Sequence, residues 1–437
     1  LNGKRNVGMY RLQIFDRNTT GMHWHVHKDG SHYFHEYAQA GRRMPVAVAI
    51  GADPATTYAA TAPLPRGVDE MLLSGFIRKK PVRMSKCLTV DLEVPAEAEF
   101  VLEGYVEPGE RRREGPFGDH TGYYSLADDY PVFHVTSLTH RKNAVYNATL
   151  VGRPPMEDCY LAKATERLFL PMLQAVMPEV KDYWLPWEGV FHNNVVVAIE
   201  KEYPGHAHKV MNGLWGQGQM SFCKSIVVVD RDVNVQDPLA VLSCLVNRFD
   251  PASDRLLTRG ILDVLDHSAP LANFGAKIGL DLTRRISGEP PREKCPAGQT
   301  VPNRDQLTKE LKDFLMEKGN WGIDAHPLLA EIPAGHGGNR FCAITVRKGS
   351  ESGGRQMAET LFEAECLFPF NILLLYDCDI DLDDGSLILW KLFNNVDPSR
   401  DIFEKGSRII IDACKKLPAD GHTREWPEDL RFDPKDE

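Results

Sequence analysis

The stretch Asp230-Arg-Asp-Val-Asn-Val-Gln-Asp237 returns later in the chain as Asp377-Cys-Asp-Ile-Asp-Leu-Asp-Asp384. The match continues without a gap over residues 230–254 and 377–401 at a constant offset of 147, and nine of the 25 paired positions are identical. Random pairing would give roughly one or two identities at average residue usage. The sequence therefore predicts an internal duplication of a strand-helix unit.

The segments around this repeat alternate between apolar runs and helical patterns, which is typical of an α/β domain. We expect helices and strands in turn at Ala162–Met177, Val195–Ile199, His206–Gln217, Ser225–Val229 and Pro238–Arg248. At the same offset, the strand 195–199 falls opposite residues 342–346. We predict one domain at 156–290 with the first copy and a C-terminal extension at 300–437 with the second. The Pro-, Gly- and charge-rich stretch 287–304 would link them.

The sequence of residues 1–155 indicates a different architecture, which is rich in strands. The fold class expected for the whole chain is therefore α+β. Met44–Ile50, Lys80–Val90 and Glu99–Val106 carry the β-branched content or partial alternation of strands. Turn residues separate them at short intervals, which favours an antiparallel barrel or sandwich over βαβ units. A helix is expected at Asp69–Phe76.

Composition excludes several classes of function. The chain has 437 residues, ordinary hydrophobic and charged fractions, and a net charge of -10, which argues against a nucleic-acid partner. The sequence has no apolar run as long as a membrane span. Nine cysteines are scattered without a Cys-x-x-Cys pair, which favours reduced thiols and a cytoplasmic location.

Two carboxylates stand five residues apart in a glycine-rich loop, Glu114-Gly-Pro-Phe-Gly-Asp119. Such loops usually make ordinary surface turns. Near the chain start, however, Asn6-Val-Gly-Met-Tyr-Arg11 ends in an arginine suited to binding a carboxylate. An arginine facing two acids in one pocket would be an arrangement for removing or adding CO2.

A dense cluster of histidines offers a second, competing interpretation. Five of the fifteen histidines are His23, His25, His27, His32 and His35. In a strand the first three would share one face, as in zinc or iron sites, and a metal-dependent hydrolase without flavin could be built on them. We favour one histidine joining oxygen ligands around a magnesium- or manganese-type ion.

Five motifs, in order over residues 5–285, resemble the UbiD family of decarboxylases. They are Asn6–Gln13, Ala49–Pro54, Val94–Gly104, Glu114–Tyr124 and Gly275–Asp281. The resemblance implies a split β-barrel domain that binds prenylated FMN, here residues 1–155, followed by the α/β domain. The family's usual N-terminal α/β region is expected to be missing from this chain.

The resemblance also implies the site residues. Asn6, His27 and Glu70 would hold a divalent metal (Mn or Mg) that bridges to the flavin phosphate. K+ would be a further ion. The cofactor would be lined by Met9, Tyr10, Arg11, His23, Trp24 and His25, and Lys277 would reach its phosphate. The catalytic trio would be Arg11, Glu114 and Asp119, where some relatives carry Glu in place of the last.

The implied reaction is reversible, non-oxidative decarboxylation of an aromatic or α,β-unsaturated acid. Arg11 would bind the substrate carboxylate, Asp119 would donate the proton, and Glu114 would be its partner. The extended tail, residues 341–414, resembles the menaquinone branch, whose substrate is a dihydroxynaphthoate; a polyprenyl-4-hydroxybenzoate of the ubiquinone pathway is the alternative. A flavin prenyltransferase would supply the cofactor, and a homo-oligomer is expected. A protein that kept the fold and lost catalysis is a further alternative.

Overall fold

The structure is a computed structural model that describes residues 3, 5–25, 28–293, 301–318, 323–329, 338–349 and 353–431. It forms two compact units. The first contains Leu1–Leu161 together with the segment that begins at Pro427, and the second contains Ala162–Trp426. The two predicted repeat domains therefore share one unit. The first unit extends past residue 155 and includes chain from the predicted C-terminal extension. There the Tyr124 N–H donates to the Glu428 carbonyl at 2.9 Å and the Leu430 N–H donates to the Gly122 carbonyl at 2.8 Å.

The described part of the first unit combines two long strands, several short ones and three helices that lie wholly within it. Its helices are α1 (Asp29–Gln39), α2 (Pro54–Ala59) and α3 (Glu70–Arg78), and its strands are β1 (Thr19–Gly21), β2 (Met44–Ile50), β3 (Met84–Lys86), β4 (Glu93–Pro95), β5 (Phe100–Glu114), β6 (Phe117–Gly118), β7 (Tyr124–Ser125) and β8 (Asp128–His140). An antiparallel sheet runs in the order β1-β8-β5-β2, and β3-β4 and β6-β7 form two small ribbons. Among the described residues β1 and β2 do not pair with each other, so this sheet is open and the split barrel stays a prediction.

Two sequence predictions in this unit need correction. The strand predicted at Lys80–Val90 is reduced to β3, because the buried Glu103 carboxylate accepts the backbone N–H groups of Leu88 and Thr89 at 2.9 and 2.6 Å and turns that segment into a loop. The strand predicted to end at Val106 continues to Glu114. This extension matters for function, since it places Glu114 at the end of β5, opposite Asp128 of β8.

From residue 157 onward the chain alternates helices and strands, as the sequence predicts. The helices are α4 (Glu157–Val176), α5 (His206–Trp215), α6 (Pro238–Arg248), α7 (Arg304–Met316), α8 (Gly354–Leu361) and α9 (Gly385–Asn395). The strands are β9 (Val180–Trp184), β10 (Asn194–Ile199), β11 (Ser225–Asp230), β12 (Arg255–Ile261), β13 (Phe274–Asp281), β14 (Ala325–Leu328), β15 (Phe341–Val346), β16 (Ile372–Asp377), β17 (Ile402–Lys405) and β18 (Arg408–Asp412). In the described part of the chain, none of the helices combines the length and the apolarity that crossing a bilayer requires.

The second unit contains two five-stranded sheets of the same design. One runs β9-β10-β11-β13-β12 and the other β14-β15-β16-β18-β17. In each, the three middle strands are parallel and the two outer strands antiparallel. Val196 and Val229 of the first sheet and Phe341 and Ile372 of the second are buried in one shared core. Burial of these apolar faces holds the two sheets together.

Candidate active site

Arg11 lies at the centre of a buried polar cluster in the first unit. Its Nε and Nη2 donate to the two oxygens of Glu114 at 3.1 and 3.0 Å, and its Nη1 donates to Asp119. A further hydrogen bond runs from Nη2 to the Ser125 hydroxyl at 2.8 Å. The Arg11 side chain is 14% exposed and the Glu114 side chain 0%. The structure thus brings Arg11 together with two acids that lie more than a hundred positions further along the chain; the catalytic role of the three residues stays a prediction.

The glycine-rich loop sets this geometry. Gly115 has φ of +92°, a region that favours glycine, and its N–H donates to the Gln13 side-chain oxygen at 2.7 Å. The chain then reverses through the β6-β7 ribbon, where the Asp119 N–H donates to the Tyr123 carbonyl at 3.1 Å. The Phe117 ring packs over the Arg11 guanidinium at 4.6 Å. Glu114 and Asp119 therefore approach the guanidinium from the two ends of one turn.

Both acids are anions at neutral pH. Burial alone would raise the pKa of Glu114, but hydrogen bonds from His23 and Arg11 outweigh burial and hold it below its ordinary value. Burial also acts on Asp119, where the charges of His120 and Arg11 outweigh it and hold the pKa of that carboxyl well below its ordinary value. The site therefore combines one permanent cation with two carboxylates.

The predicted histidine cluster does not converge on one point. His23 and His25 follow the end of β1 rather than lying in a strand; their Nε2 atoms are 2.5 Å apart, and His23 Nδ1 is 2.7 Å from Glu114 Oε2. His32 and His35 lie on α1 and pair along that helix with Glu36 and Gln39. Among the described residues, no three His, Cys, Asp or Glu side chains are arranged to hold a metal. The predicted ligand His27 lies outside the described residues.

Sequence reasoning missed several contributors to this cluster. Tyr130 of β8 packs against the His23 ring at a centroid distance of 4.1 Å, and burial raises its pKa to about 12, so its phenol is neutral. Ser125 and Gln13 were given no role, although both lie within or beside the quoted motifs. Tyr130 could not be found without recognising β8, which no sequence prediction covered.

Trp24, Tyr10 and Gly30 form a cradle suited to a phosphate. The Trp24 indole N–H is buried and has no hydrogen-bond partner among the described residues. The Gly30 N–H, at the start of α1, donates to the Tyr10 hydroxyl at 3.1 Å. A Cβ on Gly30 would lie 2.8 Å from both the indole nitrogen and that hydroxyl oxygen. An unpaired indole donor beside a helix N-terminus fits the phosphate of a flavin nucleotide.

The oxygen ligands predicted for a metal lie close to this cradle. Glu70 accepts the Val7 N–H at 3.0 Å, and burial, with the nearby Asp69 and Asp29, raises its pKa. The side chain of Asn6 bonds to the Tyr10 hydroxyl. A partly buried carboxylate among other acids is the environment that a hard divalent cation would stabilise.

Two further residues were predicted to contact the cofactor, Met9 and Lys277. Met9 is half exposed. Lys277 belongs to the second unit, where its buried ammonium donates to the carbonyl oxygens of Ser221 and Cys223 at 2.5 and 2.9 Å, and burial lowers its pKa to about 8. A contact of Lys277 with the flavin phosphate stays a prediction.

The described geometry is therefore an arginine between two buried acids, beside a cradle with a free indole donor. The chain matches the UbiD family models, described as the 3-octaprenyl-4-hydroxybenzoate carboxy-lyase Rift-related domain over residues 1–154 and the C-terminal domain of the same lyase over residues 159–282 and 329–421. The chain belongs to the UbiD family.

Relatives support this membership. An uncharacterised protein of Archaeoglobus fulgidus is 54% identical over 315 residues, which cover 72% of this chain and 65% of that protein. The chain thus spans about two thirds of the length of the curated relatives it matches. The UbiD-class enzyme HmfF of Pelotomaculum thermopropionicum, solved with FMN, is 32% identical with a TM-score of 0.60, covering 70% of this chain and 67% of that one. Vanillic acid decarboxylase of Sedimentibacter hydroxybenzoicus is 27% identical with a TM-score of 0.62, covering 71% and 66%.

Proposed function

We propose that this protein decarboxylates an aromatic or α,β-unsaturated carboxylic acid with prenylated FMN as its cofactor. The contact of Arg11 with both Glu114 and Asp119 carries the proposal, because it is a buried guanidinium positioned for a planar carboxylate. Two solved relatives support it: one UbiD-class structure holds FMN, and another is a vanillic acid decarboxylase.

The residues of the cradle would hold the cofactor. The Trp24 indole N–H and the first turn of α1 would bind its phosphate, and Tyr10, His23, His25 and Met9 would line it. A divalent metal, Mn or Mg, would be held by Asn6, Glu70 and His27, with K+ as a further ion. Once bound, the prenylated flavin supplies an electron sink for the carbon that loses CO2.

Arg11 would bind the substrate carboxylate and orient the bond to be broken. Glu114 holds Nε and Nη2 of the guanidinium through two parallel hydrogen bonds. The substrate carboxylate would therefore bind at Nη1, which also donates to Asp119. Asp119 would protonate the carbon after CO2 leaves, and Glu114, which accepts from Arg11 and His23, would keep the guanidinium in place. Asp119 and Glu114 can take these two roles because both carboxylates contact the Arg11 guanidinium.

For the substrate we propose a dihydroxynaphthoate of menaquinone biosynthesis, with a polyprenyl-4-hydroxybenzoate of ubiquinone biosynthesis as the alternative. The support is the extended tail, residues 341–414, together with relatives that act on hydroxylated aromatic acids. We also propose that the enzyme is a cytoplasmic homo-oligomer that receives its cofactor from a flavin prenyltransferase.

We propose further that the two sheets of the second unit arose by duplication. Matching hydrogen bonds support this at the predicted offset: the Asp250 N–H donates to Asp254 Oδ2 and the Asp397 N–H donates to Asp401 Oδ2, both at 2.8 Å. Directly before strands β12 and β17, the Asp254 and Asp401 carbonyls each accept a backbone N–H at 2.9 Å, from Asp281 and Asp412. Matching bonds at paired aspartates, together with nine identities in 25 positions, are hard to reach by independent folding of unrelated sequences.

A direct test is a screen of holoenzyme, produced together with a flavin prenyltransferase, against hydroxybenzoates, hydroxynaphthoates and cinnamates. Release of CO2 from one class, with a flavin absorption band and bound divalent metal, supports the proposal. A protein that takes up the flavin yet releases CO2 from no acid would be a binding protein. Stoichiometric zinc without flavin would favour a hydrolase instead.

A further inference from the structure

Asp119 has a difficulty as a proton donor, because both of its oxygens are engaged. Oδ2 accepts from Arg11, while Oδ1 accepts the His120 backbone N–H at 2.8 Å and lies 2.6 Å from His120 Nδ1. These contacts hold the pKa of Asp119 well below its ordinary value despite burial. A carboxylate in this state carries no proton at neutral pH, so it must receive one before it can protonate carbon.

Two charged side chains contact Asp119 among the described residues, Arg11 and His120. An arginine does not release its proton in a protein, whereas a histidine gains and loses one near neutral pH. The His120 side chain is 29% exposed and the Asp119 side chain 10%, so the imidazole lies closer to solvent than the acid it contacts. Resting on the function proposed above, we infer that His120 delivers to Asp119 the proton that Asp119 passes to the substrate carbon.

The transfer balances without a further reactant. The Nδ1–H bond of the His120 imidazolium breaks as an O–H bond forms on Asp119 Oδ1, and the electron pair stays on nitrogen. Asp119 then gives this proton to the carbon that lost CO2, which forms a C–H bond with the electron pair left by the departing group. Asp119 returns to a carboxylate, and the neutral imidazole takes a proton from solvent water.

The surrounding charges favour a protonated His120. Asp158, in the first turn of α4, interacts electrostatically with His120; its Oδ1 is buried and has no hydrogen-bond partner in the described part of the chain. Burial raises the pKa of Asp158. Asp119 is also bonded to Arg11, whose charge Glu114 offsets, and the Tyr130 phenol is neutral. His120 therefore contacts one carboxylate, Asp119, and interacts electrostatically with a second, Asp158, and both stabilise its charged form.

The decisive variant is His120→Asn, whose amide N–H can still donate to Asp119 but cannot titrate. With loaded enzyme we expect kcat to fall about 100-fold with little change in KM, and added imidazole to restore part of it in His120→Ala. Asp158→Asn should move the alkaline limb of the kcat profile to lower pH, because it removes an anion that stabilises the imidazolium. His120→Asn with wild-type kcat would overturn the inference, since hydrogen bonding alone would then suffice.

A second readout does not depend on activity. In protein labelled with 15N-histidine, the His120 resonance is the one missing from His120→Asn, and its titration midpoint can be followed by NMR. We expect Asp119→Asn to lower that midpoint by about one pH unit or more. An unchanged midpoint would overturn the coupling by itself. If the wild type released no CO2 from any acid, the proposed function would fail and the relay with it, while the midpoint would still report whether the two side chains are coupled.

Discussion

Arg11→Met should leave two carboxylates without their cation. Glu114 has no exposed side-chain surface and accepts from Arg11 at 3.0 and 3.1 Å, and Asp119 loses its bond from the same guanidinium. Removing one partner of a buried ion pair costs about 3–5 kcal/mol. In a Glu114→Gln background no charge is stranded at position 114, although Asp119 still loses its bond from Arg11, and the same change should cost about 1–3 kcal/mol, the range for a buried polar group left without its partner. The expected coupling between Arg11 and Glu114 is therefore about 2 kcal/mol.

Native-state hydrogen exchange is the suitable assay, because it reports the opening of one region at a time. Amides of β5, which ends at Glu114, should lose protection in Arg11→Met and regain part of it in Arg11→Met/Glu114→Gln, where only Asp119 still lacks its bond from Arg11. Amides of β16 in the second unit serve as the internal control. Equal losses of protection in the presence and absence of the Glu114 carboxylate would refute the reasoning, since they would show that the guanidinium and the acid are not coupled.

The same substitution has a signed pH dependence. The pKa of Glu114 is lowered in the folded protein, so its contribution to stability is present above the ordinary glutamate value, about 4.3, and is lost as pH falls through the folded value. The stability difference between wild type and Arg11→Met should accordingly be largest near pH 7 and shrink below about pH 4. A difference that grows on acidification would contradict the assigned charges.

Three further substitutions test the cradle and the second unit. Trp24→Phe removes the unpaired indole N–H, so FMN affinity measured by fluorescence titration should fall roughly tenfold while the apoprotein stays as stable as wild type; unchanged affinity would exclude the indole as a phosphate ligand. Gly30→Ala places a methyl 2.8 Å from Trp24 Nε1 and the Tyr10 hydroxyl and should abolish flavin binding, whereas the control Gly385→Ala, with no atom within 4 Å, should bind normally. Lys277→Met leaves the Ser221 carbonyl without this donor, while the Cys223 carbonyl keeps the Trp215 indole N–H at 3.0 Å, and it should lower the free energy of unfolding of the second unit by about 1–3 kcal/mol, measured by urea denaturation; a loss of flavin affinity with unchanged stability would instead favour the predicted role of Lys277 at the phosphate.

Much of the second unit could be predicted from the sequence because its signals are local. The helix predicted at Pro238–Arg248 has those bounds in the structure, since Asp237 caps it by accepting the Leu239 N–H at 3.0 Å and a proline follows at the first position. The predicted parallel strands β10 and β11 are largely continuous apolar runs. The outer antiparallel strands β12 and β17 were missed, because they are charged at several positions and are defined by pairing with β13 and β18.

The first unit was harder to predict because distant side chains decide its local structure. Glu103 converts a segment with a strand-like pattern into a loop, and nothing near residues 80–90 signals this. The contact between Arg11 and Glu114 followed from the motifs. The engagement of Asp119 by His120 did not, although the two are neighbours in the sequence, since a depressed pKa depends on which way each side chain points.

The central claim is that Arg11, together with Glu114 and Asp119, forms the decarboxylation site of a prenylated-FMN enzyme. The most direct measurement is release of 13CO2 from carboxyl-labelled aromatic acids by flavin-loaded wild type and by Arg11→Met loaded to the same extent. We predict release by the wild type and at least a 100-fold loss in the variant, with its flavin spectrum retained. Equal release by both proteins, or none from any acid by the loaded wild type, would contradict the account.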